Sequence, residues 1–590
     1  MRRMVLLLLV TLVSVISVNA DELSASSLDK RRKDLQALLK EQWDDSLRRA
    51  PEYASILGDK RWNDKSSDLS EAASLANIAT ARKFLKRFEA IDTTGFDEQE
   101  RLDKELMLLE LRNDIEDEKF TPWLMPVTQM SGYHLNAAQI PSLLTFTSAK
   151  DYDDYITRLH NVPKQFAQTE ANMRKGMARQ LMPPKFLLGK VADQAAAIAK
   201  MDAEKSPFAM PLSKFPATVF PDEQVRIQKA FIDVIQNEVI PAYVKFSKFV
   251  REEYAPHGRT EVGVWSLPNG AARYAVRVRR STTTTMTPQQ IHDLGLREVA
   301  RIEGEMLEVA KRLGYSDLPS LNKAIEANPE LRAKSREQIL DLYRHYEDQM
   351  SAKLPQLFGR LPKAKLEVVQ IESFREQSAA GADYNTGAPD GSRPGRINVN
   401  TYDPPGHKTI SMESTAYHEG VPGHHMQLSI QQELPALPDF RKQGGYTAYV
   451  EGWALYSERL GKEVGFYENP YNDYGRLQDE MLRAIRLVVD TGLHYKKWTR
   501  QQVVDYFHAH SAQDEMDIQN ETDRYIVWPG QALGYKIGQL KITELREKAK
   551  RELGDKFDIR GFHDEVLGAG ALPMSVLEQR INNWIAARKG

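Results

Sequence analysis

The 590-residue chain contains no cysteine. This excludes disulfides, a cysteine nucleophile, thiolate metal ligands and a lipidated cysteine behind an export signal. Any transition metal must therefore be held by histidine and carboxylate. A chain of this length buries enough core to do without disulfides. Past the N-terminus, no apolar run is long enough to span a bilayer. No sign of charge dominates either. With 80 Lys and Arg against 82 Asp and Glu, the net charge is -2 and the pI about 6.7, which argues against a nucleic-acid partner or strong attraction to anionic membranes. No fixed-period repeat is present, and nothing in the sequence sets an oligomeric state.

Residues 1–20, "MRRMVLLLLVTLVSVISVNA", carry Arg2 and Arg3, an apolar run from Val5 to Val18, and Val18 and Ala20 flanking Asn19. That layout predicts a secretory signal peptide cleaved after Ala20. The run of about 14 residues is short of the ~20 a spanning helix needs. The expected product is exported, periplasmic or secreted, with no stable membrane insertion after cleavage.

The rest is ordinary globular sequence: 41% hydrophobic and 27% charged, with a mean hydropathy of -0.52. Most of it reads as helix. "LDKRRKDLQALLKEQWDDSLRRAPEYASILG", "EQERLDKELMLLELRNDIEDE" and "TPQQIHDLGLREVARIEGEMLEVAKRLGY" place apolar residues at three- and four-residue spacing. The last opens on Thr287-Pro288, an N-cap followed by proline at the first helical position. Breaks fall at 206–221, 256–270 and 375–395, and the second suggests an N-terminal helical lobe over 21–270 and a C-terminal lobe over 271–590. Between 364 and 402, "AKLEVVQIESF" and "RINVNTY" alternate like strands around the loop "GAPDGSRPG", so a small sheet is expected just before the histidine-rich segment.

That segment is "AYHEGVPGHHMQ", Ala416 to Gln427. Zinc hydrolases need two imidazoles, usually a carboxylate, an open position for water and a nearby glutamate that takes the water's proton. On a helix, His-Glu-x-x-His puts both imidazoles on one face. Here the position four after His418 is Pro422. In unbroken helix His424 would lie roughly 120° off the His418 face, and His425 on that face but about 10 Å further along. Pro422, Gly420 and Gly423 make an unbroken helix improbable, and a bulge at "GVPG" would return a later histidine to His418.

A third ligand should come from another helix. In "TAYVEGWALYSERL", Glu451 stands among apolar neighbours, where an ionised carboxylate needs a cation, a strong donor or a proton. Glu458, on nearly the same face, suits a hydrogen bond to a ligand histidine. Downstream, His494, Arg524, Tyr525 and Tyr535 are of the types that donate to an oxyanion or bind a substrate carboxylate. Plain readings compete: surface or structural histidines throughout, Arg524 as an ion-pair partner, and Tyr535 as a core tyrosine with a satisfied hydroxyl.

Taken together, "HEGVPGHHMQ", "EGWALYSE", "DTGLH" and "RYIVWPGQALGYKIGQ" resemble the signature segments of a bacterial family catalogued as domain of unknown function 885. "GYHLNAAQIPSLLTFTSAKDYDDYITRL", "GMARQLMPPKFLLGKV" and "IHDLGLREVARIEGEM" resemble its other blocks. The resemblance implies a mainly helical, zincin-like, two-lobed architecture around a deep cleft, related in plan to helical zinc carboxypeptidases and dipeptidases. Carried over, it makes His418 and one of the pair metal ligands, Glu419 the general base and Glu451 the third ligand. "Gly-His" at the second ligand favours His424, whereas the helical-face argument favours His425.

The expected function is an exported, carboxypeptidase- or dipeptidase-like hydrolase of short or unfolded peptides with one Zn2+ ion. In it Glu419 would act as base, Tyr525 with His494 or Tyr535 as oxyanion donors, and Arg524 as a substrate contact. Two alternatives are a metal hydrolase of a non-peptide amide or ester, and a peptide-binding relative without catalysis. The base beside the ligand histidine argues against the second.

Overall fold

A computed structural model describes residues 27–372, 376 and 379–589. The expected signal peptide, 1–20, lies outside the described residues. The fold is mainly helical with one small sheet.

The N-terminal half is built from amphipathic helices with clear start signals. Glu71–Glu89 begins at Ser70, whose side chain accepts from the Ala73 amide. Glu98–Glu116 begins with a capping box between Asp97 and Glu100. The 30-residue helix Ala149–Ala178 packs with Lys185–Ala199 and Ile240–Phe249 around Tyr152, Phe166, Leu188, Phe231 and Tyr243, all 2% exposed or less.

The apolar clusters do not divide at 270. Leu102 and Leu106 belong to the same core as Tyr449, Trp453 and Ile542, and Leu187 to that of Ile302 and Val488. Buried Arg441 also reaches back to Asp103 at 2.7 Å. The two expected lobes thus share core across the break at 256–270.

In the C-terminal half, α1 (Pro288–Arg312) opens on the expected Thr287 cap, as a capping box with Gln290. It packs along α6 (Pro470–His494), while α5 (Thr447–Glu463) packs along α8 (Leu533–Leu553). Two glycines set the second crossing. A Cβ on Gly538 would stand 1.7 Å from the Ala448 carbonyl oxygen, and one on Gly452 would stand 2.4 Å from the Gly538 Cα. Only glycine allows this approach, and the residue before Gly452 is Glu451.

The sheet is three-stranded, in the order β1 (Leu366–Gln370), β3 (Gly395–Val399), β2 (Ala382–Asn385). The two segments with strand-like alternation are β1 and β3, and they pair in parallel. The edge strand β2, "ADYN", pairs antiparallel to β3 and has no apolar alternation to reveal it. The "GAPDGSRPG" loop is the β2–β3 connection.

Candidate metal centre

The histidine-rich segment is two helices with a break between them. α3 (Met412–Glu419) ends at Gly420 and α4 (His424–Glu433) starts at His424. The Val421–Pro422 peptide is cis. Three side chains from other helices hold the break. Glu347, on α2 (Arg336–Leu357), accepts from the Val421 amide at 2.9 Å. Trp453 Nε1 donates to the Pro422 carbonyl at 2.9 Å, and Ser457 Oγ to that of Tyr417 at 3.2 Å. Gly423 is required by close approach, since a Cβ there would lie 2.0 Å from the His418 carbonyl oxygen. Chain that would have continued the helix instead folds back on it, and His424 returns to His418.

The rings of His418 and His424 lie 4.8 Å apart and nearly perpendicular, at 86°. Both Nε2 atoms face Glu451 Oε2, at 3.7 Å for His418 and 3.3 Å for His424. One donor atom from each of the three residues lies within 4.8 Å of the others. Ligands at 2.0–2.2 Å from a tetrahedral ion stand about 3.3–3.6 Å from one another, so this spacing fits a metal. The His418/His424/Glu451 cluster can therefore hold a metal ion, and a fourth position would be left for water or substrate.

Electrostatics agree with the geometry. Burial pushes the Glu451 carboxyl up, but hydrogen bonds from His418 and His424 outweigh it and hold the group well below the usual carboxylate range. Burial likewise opposes charge on His418, yet Glu451 and Glu458 push its pKa up to about 9. Glu458 takes the place expected of it: its Oε1 is 2.8 Å from His418 Nδ1. An N–H at Nδ1 leaves the Nε2 lone pair facing the site. Glu419 is half-buried beside these ligands, and desolvation raises its pKa, partly countered by His418 and His424.

His425 turns the other way. Its Nδ1 lies 2.9 Å from the Tyr384 hydroxyl and its Nε2 3.2 Å from the Ala364 carbonyl. Burial lowers its pKa to about 4, so it is a neutral tie to the sheet. Of the histidine pair, His424 joins the cluster.

The four downstream residues separate. Tyr535 stacks on His418, with ring centroids 6.4 Å apart and planes within 13°. Arg524 donates to the Tyr535 hydroxyl at 3.2 Å, to Gln531 at 3.0 Å, and pairs with Glu521 at 3.2 Å. Tyr525 is fully buried, its hydroxyl donating to Glu521 and accepting from Arg486 Nε at 2.9 Å. His494 has no nitrogen to offer. Its Nδ1 accepts from the Val264 amide at 3.0 Å and its Nε2 donates to the Tyr525 carbonyl at 2.9 Å. Burial lowers its pKa to about 3. The oxyanion role expected of His494 is corrected on this ground: it is a structural tie.

Sequence reasoning missed Glu347 and Arg486, although each leaves a signal. Glu347 sits in the stripe Tyr343, Met350, Leu354, all buried. Arg486 interrupts the apolar run Ala484 to Val489. A charge in a buried stripe demands a partner.

This chain is thus a mainly helical protein with a centre of two buried histidines and one half-buried glutamate. Its residues 51–581 match the family model described as a bacterial protein of unknown function, DUF885, and the chain belongs to that family. No curated protein matches. Among solved structures, a protein provisionally described as a lipoprotein from Colwellia psychrerythraea is 30% identical, with a TM-score of 0.90 over 94% of this chain and 99% of that one. Another provisionally described lipoprotein of unknown function, from Shewanella oneidensis, shares the fold at 17% identity and a TM-score of 0.68, over 92% and 98% of the two chains.

Proposed function

We propose that this protein is an exported, zinc-dependent hydrolase of short or unfolded peptides. The observation that carries this reading is the convergence of two imidazole Nε2 atoms on one half-buried carboxylate, with a second glutamate adjoining. His418, His424 and Glu451 would hold the ion, and a two-nitrogen, one-oxygen donor set suits zinc. When bound, it supplies Lewis-acid polarisation of the scissile carbonyl and acidifies a water.

The chain's own residues do the rest. Glu419 takes the attacking water's proton on its carboxylate and returns it to the leaving amine. Burial, which raises its pKa, makes it a better acceptor. Tyr535 is the donor best placed for the developing oxyanion: Arg524 donates to its oxygen, so the phenolic proton is not spent on Arg524. Glu458 fixes the His418 tautomer. A base beside the cluster supports catalysis over mere binding.

Export rests on the layout of residues 1–20, and the relatives described as lipoproteins support it. Without cysteine, this chain has no residue for a lipid thioether.

Metal analysis of purified wild type beside His418→Ala, His424→Ala and Glu451→Ala tests the reading. One zinc per chain is expected in wild type and none in the variants. Zinc that survives loss of Glu451 would refute the site.

A further inference from the structure

Beside the metal centre, charge is left over. Arg486 on α6 and Arg524 on α7 (Glu515–Val527) share a single carboxylate, Glu521. Arg486 Nη2 reaches Glu521 Oε2 at 2.9 Å and Arg524 Nη1 reaches Oε1 at 3.2 Å. Among the described residues, the other groups against them are neutral: Tyr525, Gln531, Tyr535 and Trp528. Two guanidiniums against one carboxylate leave one positive charge in a buried place.

The metal centre does not absorb that charge. Glu451 and Glu419 together balance a divalent ion, and Glu458 faces Arg483 at 3.5 Å. Two guanidinium nitrogens, Arg486 Nη1 and Arg524 Nε, are buried with no acceptor among the described residues. An excess buried cation with unspent donors calls for an anion. Planar guanidiniums match a carboxylate best.

Position gives the anion its identity. Tyr535 bridges the two places: its ring stacks on His418 at 6.4 Å and its hydroxyl meets Arg524 at 3.2 Å. The guanidinium therefore stands within the span of about three to four extended residues of the metal ligands. A carboxylate bound there belongs to a peptide whose scissile bond at the metal is only a few residues away.

We infer that Arg486 and Arg524 form a carboxylate subsite that binds the C-terminus of the peptide, making this protein a C-terminal exopeptidase that releases short fragments. This rests on the hydrolase reading above, whose own test is metal content. Arg524, partly open to solvent, makes the direct contact. Arg486, stacked 4.5 Å over the Tyr535 ring, sustains the excess charge.

The test is calorimetric binding to the full-length Glu419→Gln protein, which keeps peptides intact. Three probes are used: N-acetyl-tetra-alanine as the free acid, its C-terminal amide, and an amidated peptide with one internal aspartate. The free acid should bind at least ~30-fold more tightly than the amide, the scale of one buried charged partner. Adding Arg524→Gln should erase the difference. Adding Glu521→Gln, which removes the competing anion, should tighten the free acid, an effect misfolding does not produce. Equal binding of acid and amide, a preference that follows the internal aspartate, or no binding of any probe overturns the subsite. In each of those cases, metal-dependent peptide hydrolysis by wild type would leave the hydrolase reading standing.

Discussion

Glu480, buried, and Glu451, half-buried, are both held well below the usual carboxylate range against the pull of desolvation, but by different means. Glu480 is 2.8 Å from Lys536, 2.7 Å from Arg301, 3.4 Å from Arg476 and 3.6 Å from Arg459. Its charge is met by permanent cations, and its work is to join α1, α6 and α8. Among the described residues Glu451 pairs only with two imidazoles, whose protons a metal can replace. A carboxylate paired with lysine and arginine is spoken for. One paired with histidines on their Nε2 side, with another carboxylate behind, is a ligand set.

The largest expected effects fall on the metal-side pair. Glu451→Ala should weaken zinc binding more than ~100-fold, since even an outer partner of a ligand is worth 10–100-fold. Glu480→Gln should leave zinc stoichiometry unchanged, so loss of zinc there would erase the contrast between the two glutamates. Glu419→Gln should retain the metal and lose about 10²–10⁴-fold in turnover on any peptide the wild type cleaves. Full activity in that variant removes Glu419 as the base.

Stability should move the opposite way. Glu480→Gln leaves Lys536 and Arg301 short of a buried partner and should cost about 3–5 kcal/mol in denaturant unfolding. Chelator-treated wild type sharpens the contrast through pH. Glu451 and Glu458 raise the His418 pKa from 6.5 to about 9 despite burial. The protonated ring therefore stabilises the folded metal-free chain fully below pH 6.5, and that contribution is lost as pH rises through about 9. It amounts to at most ~3 kcal/mol. The melting-temperature gap between metal-free wild type and His418→Gln should shrink from pH ~6 to pH ~10, and a constant gap would contradict the assignment.

The smallest effect is at the helix break. Burial pushes the Glu347 carboxyl up from its ordinary pKa, and its Oε2 accepts from the Val421 amide at 2.9 Å. Glu347→Gln should be nearly silent, while Glu347→Ala should cost about 1–3 kcal/mol and weaken zinc binding with it. Equal effects from both substitutions would show that volume, not the hydrogen bond, matters there.

Much of this was legible in the residues. Amphipathic spacing and the Thr287 cap mark the helices, because burial of one face repeats along the chain. Glu451 and Glu458 stand out as charges in an apolar helix. The strand β2 was hidden because a four-residue edge strand is made by its partner β3 and has no pattern of its own. His494 misled because its residue type suits catalysis, and only the fold shows both nitrogens spent on backbone groups.

By itself, the sequence determined that any metal would be held by histidine and carboxylate, that the chain would be mainly helical, and that the helix at His418 would break near Pro422. These follow from composition, periodicity and local backbone sterics. Which of His424 and His425 turns to His418 was decided only by tertiary structure. Glu347, Trp453 and Ser457, from helices distant in sequence, hold the break, and Tyr384 and Ala364 take His425. The surplus charge of Arg486 and Arg524 was settled in the same way. Net charge can be counted along a chain, but whether a particular cation has its anion depends on which helices pack together.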